Sequence, residues 1–125
     1  MATEARERLT QIMVTRDLLA DAVRCLAVSA LPLRERLDRS SVPLAVLSRR
    51  DFETEEELAL FARVELGLTQ LRVSDVATHG DRDSALNDVP IFALEATASH
   101  IVALKDATTK RALLVARARN QGHST

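Results

Sequence analysis

The sequence predicts a small α+β domain, in which a long N-terminal helix and a second, capped helix pack on a small antiparallel sheet. Three observations predict it. A run free of Gly and Pro opens the chain, a helix-start signal stands at Thr54, and two apolar runs flank a polar stretch in the last third. The alternative is an all-α helical bundle, because that last third also fits one long helix.

The composition is apolar but poor in aromatic residues. Hydrophobic residues make up 46% of the chain, yet Trp and Tyr are absent and Phe occurs three times. Base-stacking platforms and sugar-binding walls are usually aromatic, so these functions are disfavoured. The formal charge of -1 also argues against nucleic acid and anionic membranes as partners.

The length and the cysteine content set the expected organisation and compartment. At 125 residues the chain fits a single domain over 1–125. Its one cysteine, Cys25, has no partner for an internal disulfide, which indicates a cytoplasmic protein. We expect no signal peptide and no membrane span. We also expect no cofactor and no metal, since the three histidines lack further ligands at suitable spacing.

The first helix is predicted over residues 3–30, ahead of Pro32. Its apolar residues recur at spacings of three and four residues, which places them on helical faces. One face carries Leu9, Ile12, Met13, Leu19, Val23, Leu26 and Ala30, and a second carries Val14, Leu18, Ala22, Cys25 and Val28. A small domain offers limited cover for two faces. We therefore expect a two-fold dimer with Val14, Leu18, Cys25 and Val28 at its interface.

The second helix is predicted over 54–66, after a short buried strand over 43–48. Thr54 and Glu57 have the spacing of a capping box, in which each side chain accepts a hydrogen bond from the other residue's backbone N–H. The three glutamates of the first turn suit the positive end of the helix dipole, and we interpret them as a solvated helix start. Gly67 is predicted to end the helix as a left-handed C-cap.

The C-terminal half is predicted to complete the sheet. A strand is expected over 70–76 and a surface loop over 79–87. A hairpin would follow, with strands at 100–104 and 112–117 around a turn containing Asp106, Thr108 and Thr109. The alternative is a helix over 93–119. Residues 120–125 are expected to form a flexible tail.

The segment from Leu66 to Ser74 resembles the turn and the start of the recognition helix in helix-turn-helix proteins. Gly67 occupies the turn, and Val73 follows six residues later. The resemblance implies a DNA-binding regulator that presents Gln70 and Arg72 to the bases. Because the chain is not basic, this is the third of our functional hypotheses.

The predicted order of strand, helix, strand, loop and hairpin resembles the chorismate lyase and UTRA-like ligand-binding fold. That resemblance implies a sheet that encloses a small carboxylate or phosphorylated ligand gripped by arginine. Arg49, Arg50, Arg117 and Arg119 would take that role, and this is the second hypothesis. The first is a non-catalytic, homo-oligomeric interaction, adaptor or regulatory protein, because the opening helix is doubly apolar and no catalytic motif occurs in the sequence.

Overall fold

The computed structural model describes residues 2–80 and 89–123, and the part of the chain that it describes is helical throughout. Four α-helices follow one another: α1 (Ala2–Leu26), α2 (Leu33–Leu44), α3 (Glu55–Gly80) and α4 (Ile91–His123). A short 3-10 helix, Arg49–Asp51, precedes α3. Among these residues no helix has both the length and the apolarity needed to cross a membrane.

The helices bury one stripe each. In α1, α3 and α4 the buried positions recur at spacings of three and four residues, the period that keeps side chains on one side of a helix. α1 packs against α2 and α4, whereas α3 packs mainly against α4. The central positions are Ile12, Leu19 and Leu26 in α1, Leu37 and Leu44 in α2, Phe61, Val64, Leu68 and Leu71 in α3, and Leu94, Ile101 and Leu104 in α4.

The α+β prediction is wrong, and the all-helical alternative describes the fold. The predicted strand at 43–48 covers the end of α2 and the turn that follows it, and the strand at 70–76 lies inside α3. The predicted hairpin over 100–117 lies wholly inside α4. No strand occurs in residues 2–80 and 89–123.

The hairpin turn was predicted from Thr108 and Thr109, which lie inside α4. Thr109 donates its hydroxyl to the Lys105 carbonyl one helical turn back (2.8 Å), an arrangement that helices accommodate. Thr108 is fully buried and donates to the Glu57 carboxylate (2.8 Å). A contact with a residue distant in sequence therefore overrides the local preference of these threonines for turns.

Gly67 does not end a helix. It lies in the middle of α3, where a Cβ atom would stand 2.2 Å from the Thr97 Oγ1 of α4. The glycine therefore permits a close approach of α3 to α4. The same observation removes the helix-turn-helix resemblance, because residues 66–74 form continuous helix with no turn.

Two helix predictions are confirmed. α1 runs unbroken over most of the predicted span and ends four residues earlier, at Leu26. The capping box is present, since the Glu57 N–H donates to Thr54 Oγ1 (3.1 Å) and the Thr54 N–H donates to Glu57 Oε1 (3.3 Å).

Two further predictions fall partly on residues outside the description. Of the predicted loop over 79–87, residues 79 and 80 belong to α3 and the rest lie outside the described residues. Of the predicted tail over 120–125, residues 120–123 continue α4, and the last two lie outside the described residues.

Side chains from different segments close the corners of the fold. The Phe52 and Phe61 rings pack with their centroids 4.8 Å apart, which ties the segment before α3 to the core. Arg36 provides a hydrogen bond to the C-terminal end of α1, because its Nη1 donates to the Leu26 carbonyl (2.9 Å). A cation at this position also suits the negative end of the helix dipole.

Candidate functional site

A buried ionic network joins the start of α3 to α4. The capping box places Glu57 in the first turn of α3 on its core-facing side, and its side chain is fully buried. Arg111 approaches from α4, and only 6% of its side chain is exposed. Its Nε donates to Glu57 Oε1 at 2.6 Å.

Arg111 also holds the segment that leads into α3. Its Nη2 donates to the backbone carbonyl of Asp51 (2.8 Å), and its Nη1 lies 3.7 Å from a carboxylate oxygen of Glu53. Glu53 in turn pairs with Arg8 of α1 at the surface. Arg111 therefore connects α4 to both the 3-10 helix and α3.

Hydrogen bonds keep Glu57 ionised despite its burial. Burial alone would raise the pKa of this carboxyl, but hydrogen bonds from Arg111, Thr108 and Thr54 outweigh it and hold the pKa below its ordinary value. Both oxygens are engaged, Oε1 by Arg111 and Thr54 and Oε2 by Thr108. A carboxylate saturated in this way is a weak base, so the arrangement favours a structural role.

The sequence interpretation was correct for two of the three glutamates of this turn and wrong for the third. Glu55 and Glu56 are exposed, whereas Glu57 is buried against Arg111. Sequence reasoning did not single out Arg111. The available signal was its position, since Arg111 falls three residues after Thr108 on the buried stripe of α4.

Three of the four arginines predicted to grip an anion have exposed side chains, and the fourth side chain lies outside the described residues. Arg49 and Arg50 are exposed on the 3-10 helix, and Arg117 is exposed on α4. Arg119 belongs to the backbone of α4, and its side chain lies outside the described residues. The enclosing sheet of the chorismate lyase and UTRA-like fold does not occur in residues 2–80 and 89–123. The structural basis for that resemblance is therefore lost.

The predicted interface residues on α1 differ in exposure. Val14 is 50% exposed and Val28 is 41% exposed. Leu18 packs against the core cluster, and Cys25 is half-buried. This set therefore presents two separated apolar side chains instead of a continuous face, and its role as an interface stays a prediction.

α3 presents a more continuous, largely apolar surface on the side that faces away from the core. Leu66 is 60% exposed and Val73 is 63% exposed. Ala59, Ala62 and Thr69 lie on the same side and are also exposed. We call these five residues the α3 seam. Large exposed apolar side chains grouped on one face mark interaction surfaces.

A cleft of about 410 Å³ opens between the α1–α2 corner and α4. Leu26, Leu33 and Val102 contribute apolar walls, and Arg36 and Asp106 contribute the charges. The Arg36 Nε is buried and has no hydrogen-bond partner. Because that atom is shielded from solvent, a ligand in the cleft would not reach it.

Comparison of this chain with protein-family models, curated proteins and solved structures yields no match. Within the described residues, no three side chains from His, Cys, Asp and Glu are grouped closely enough to hold a metal ion. The functional proposal therefore depends on the surfaces described above.

Proposed function

We propose that this chain is a non-catalytic interaction protein that assembles with a second copy of itself and serves as an adaptor or regulatory subunit. The observation that carries the proposal is the α3 seam, where Leu66 and Val73 are each exposed by more than half on the side opposite the core. Such side chains are stabilised when a partner removes them from water, at about 25 cal/mol per Å² of apolar surface.

The charge balance supports a second copy as the partner. A formal charge of -1 means that two copies repel each other weakly at long range. Closed two-fold dimers are also the commonest assemblies of identical chains. Val14 and Val28 of α1 are also exposed and could each contribute a single apolar contact to an assembly.

The buried network supports a non-catalytic role for Glu57, whose pKa its hydrogen bonds lower. The oxygens of Glu57 are occupied by donors of the chain itself, so the carboxylate has no free position directed towards a substrate. Cys25, which has no disulfide partner in the chain, supports a reducing compartment, and we place the protein in the cytoplasm.

Light scattering coupled to size-exclusion chromatography tests the proposal. We expect a species of twice the 13.7 kDa chain mass. At about 100 μM chain, a dimer with a micromolar dissociation constant would predominate. A species of single chain mass at this concentration would reject the proposed self-assembly.

A further inference from the structure

We propose that α3 pairs with α3 of a second copy in antiparallel orientation, through the α3 seam. This inference rests on the proposed self-assembly and specifies its surface and geometry. We choose a second copy of the chain as the partner because of the spacing of the seam, the charges beside it and its area.

The seam has the spacing of a helix-pairing stripe. Its positions, 59, 62, 66, 69 and 73, follow one another at intervals of three, four, three and four residues, as the first and fourth positions of a heptad do. All five side chains are exposed. The buried stripe of α3 lies on the opposite side of the helix and consists of Glu57, Phe61, Val64, Leu68 and Leu71. The inner stripe is occupied by the molecule's own core, and the outer stripe has no partner among the described residues.

Small side chains let a second helix come close. Ala59 and Ala62 at one end of the seam leave room for the larger side chains at the other end of a second copy's seam, so that two helices can pack about 8–10 Å apart. Leu66 stands at the middle of the seam and supplies its largest side chain. Together these residues favour another helix as the occupant, because a narrow apolar stripe fits a partner of the same shape.

The charges beside the seam select a second copy and an antiparallel orientation. Glu65 and Arg72 are both exposed and occupy equivalent heptad positions on one side of the seam. In an antiparallel pair, Leu66 lies opposite Thr69 of the second copy, and Glu65 then lies opposite Arg72 of the second copy. The two-fold axis repeats this ion pair. In a parallel pair, Glu65 would lie opposite the uncharged Gln70 instead.

The area of the seam sets the strength of the pairing. A stable interface buries about 800 Å² on each partner. Leu66 and Val73 are its only large apolar side chains among the described residues, so the seam offers less than that. We therefore expect a reversible dimer with a dissociation constant in the micromolar range.

Charge reversal tests the orientation, with sedimentation velocity as the measurement. Glu65→Arg places Arg opposite Arg72 of the second copy, and Arg72→Glu places Glu opposite Glu65. Each variant alone should dimerise at least about fivefold more weakly than the unchanged chain, since like charges then face each other. An equimolar mixture restores both ion pairs. We expect the mixture to dimerise within about twofold of the unchanged chain at low salt.

Leu66→Lys tests the seam itself, and Val42→Lys is its matched control. Val42 is 71% exposed on α2, so the control adds the same charge at a valine that is away from the seam and somewhat more exposed than Leu66. We expect Leu66→Lys to be monomeric at about 100 μM and Val42→Lys to remain dimeric. Circular dichroism of both variants should match that of the unchanged chain, because neither side chain is part of the core.

The outcomes separate the inference from the proposed function. If the unchanged chain is a dimer and Leu66→Lys stays a dimer, the seam is not the interface, although self-assembly stands. If Leu66→Lys is monomeric but the mixed charge variants do not recover, the antiparallel pairing is wrong. If the unchanged chain is a monomer, both proposals fall.

Discussion

Two of the places where α3 meets α4 are held together by opposite means. At the start of α3, the charged side chains of Glu57 and Arg111 fill a buried junction and bind each other at 2.6 Å. Ten residues along the helix, a distance of about 15 Å, Gly67 has no side chain and Thr97 occupies the space. We call these places the ionic junction and the glycine crossing.

The difference shows two ways to fix how a pair of helices fits together. The ionic junction fixes register, because Arg111 donates to both Glu57 and the Asp51 carbonyl, and sliding α4 along α3 would separate these groups. The glycine crossing fixes separation, because the first atom of any side chain would meet Thr97. An ion pair between buried groups is costly to break and contributes little over a well-packed apolar pair. A close crossing is instead sensitive to added volume.

The largest effect is expected from breaking the ionic junction. Arg111→Met leaves the Glu57 carboxylate buried without its charge partner, which should lower the free energy of unfolding by about 3–5 kcal/mol. The double variant Glu57→Leu/Arg111→Met removes both charges and should recover at least about 2 kcal/mol of that loss. Urea denaturation followed by far-UV circular dichroism measures both.

Lys110→Met is the control for this experiment. It makes the same kind of change one residue earlier, at an exposed position, and should shift stability by less than about 0.5 kcal/mol. An equal loss in Lys110→Met and Arg111→Met would show that the junction has no special role. If Arg111→Met does not fold, the recovery in the double variant still measures the pairing.

A smaller loss is expected at the glycine crossing. Gly67→Ala gains about 1 kcal/mol from helix propensity but forces a methyl group against Thr97, and overpacking of this kind costs about 1–3 kcal/mol. The variant should therefore be less stable than the unchanged chain. In a Thr97→Ala background the two closest atoms, Oγ1 and Cγ2, are removed and the remaining Cβ stands 3.0 Å away, so the same change should cost less stability. Identical effects in the two backgrounds would mean that the crossing is not close.

The ionic junction also predicts an acid-dependent loss of stability. The pKa of Glu57 is lower in the folded chain than its ordinary value of 4.5, so the unfolded chain binds this proton first as the pH falls. The stabilisation is complete above pH 4.5 and is lost as the pH drops through the folded pKa. Denaturation at a series of pH values should show a shallower dependence in Glu57→Leu/Arg111→Met. Parallel curves for the two proteins would contradict the assignment.

The smallest effect is expected at the surface edge of the junction. Arg8 and Glu53 form an ion pair with each other, and their own side chains are 55% and 42% exposed. Arg8→Gln should cost at most about 1 kcal/mol, and the cost should vanish in high salt because exposed pairs are screened. A loss as large as that of Arg111→Met would mean that the surface pair, and not the buried one, holds the segment before α3.

Local signals in the sequence predicted the starts of α1 and α3 and failed at the long-range contacts. The opening helix and the Thr54 capping box follow from spacing and from groups three residues apart, so they could be found. Thr108 and Thr109 favoured a turn by local preference, and only the contact with Glu57 explains why the helix continues. Gly67 likewise predicted a helix end because glycine serves both at ends and at close crossings.

The candidate site was less predictable than the fold. The resemblance to the chorismate lyase and UTRA-like fold implied an anion-binding role for Arg49, Arg50 and Arg117, and the structure leaves all three exposed. Arg111 was not predicted as a site residue. The role of a charged residue on the apolar stripe of a helix can be inferred only when its partner is known. Leu66 supplies the largest side chain of the proposed seam. The sequence instead predicted a helix-turn-helix turn from Leu66 onward, where α3 is continuous.

The contact between Phe52 and Phe61 gives this chain a practical optical property. Since the protein contains neither Trp nor Tyr, its own ultraviolet emission is faint, and Phe52→Trp would install a lone fluorophore with no background. Its emission maximum would shift to longer wavelength whenever the segment between α2 and α3 detaches. Detachment of this corner could thus be timed separately from the melting of the helices.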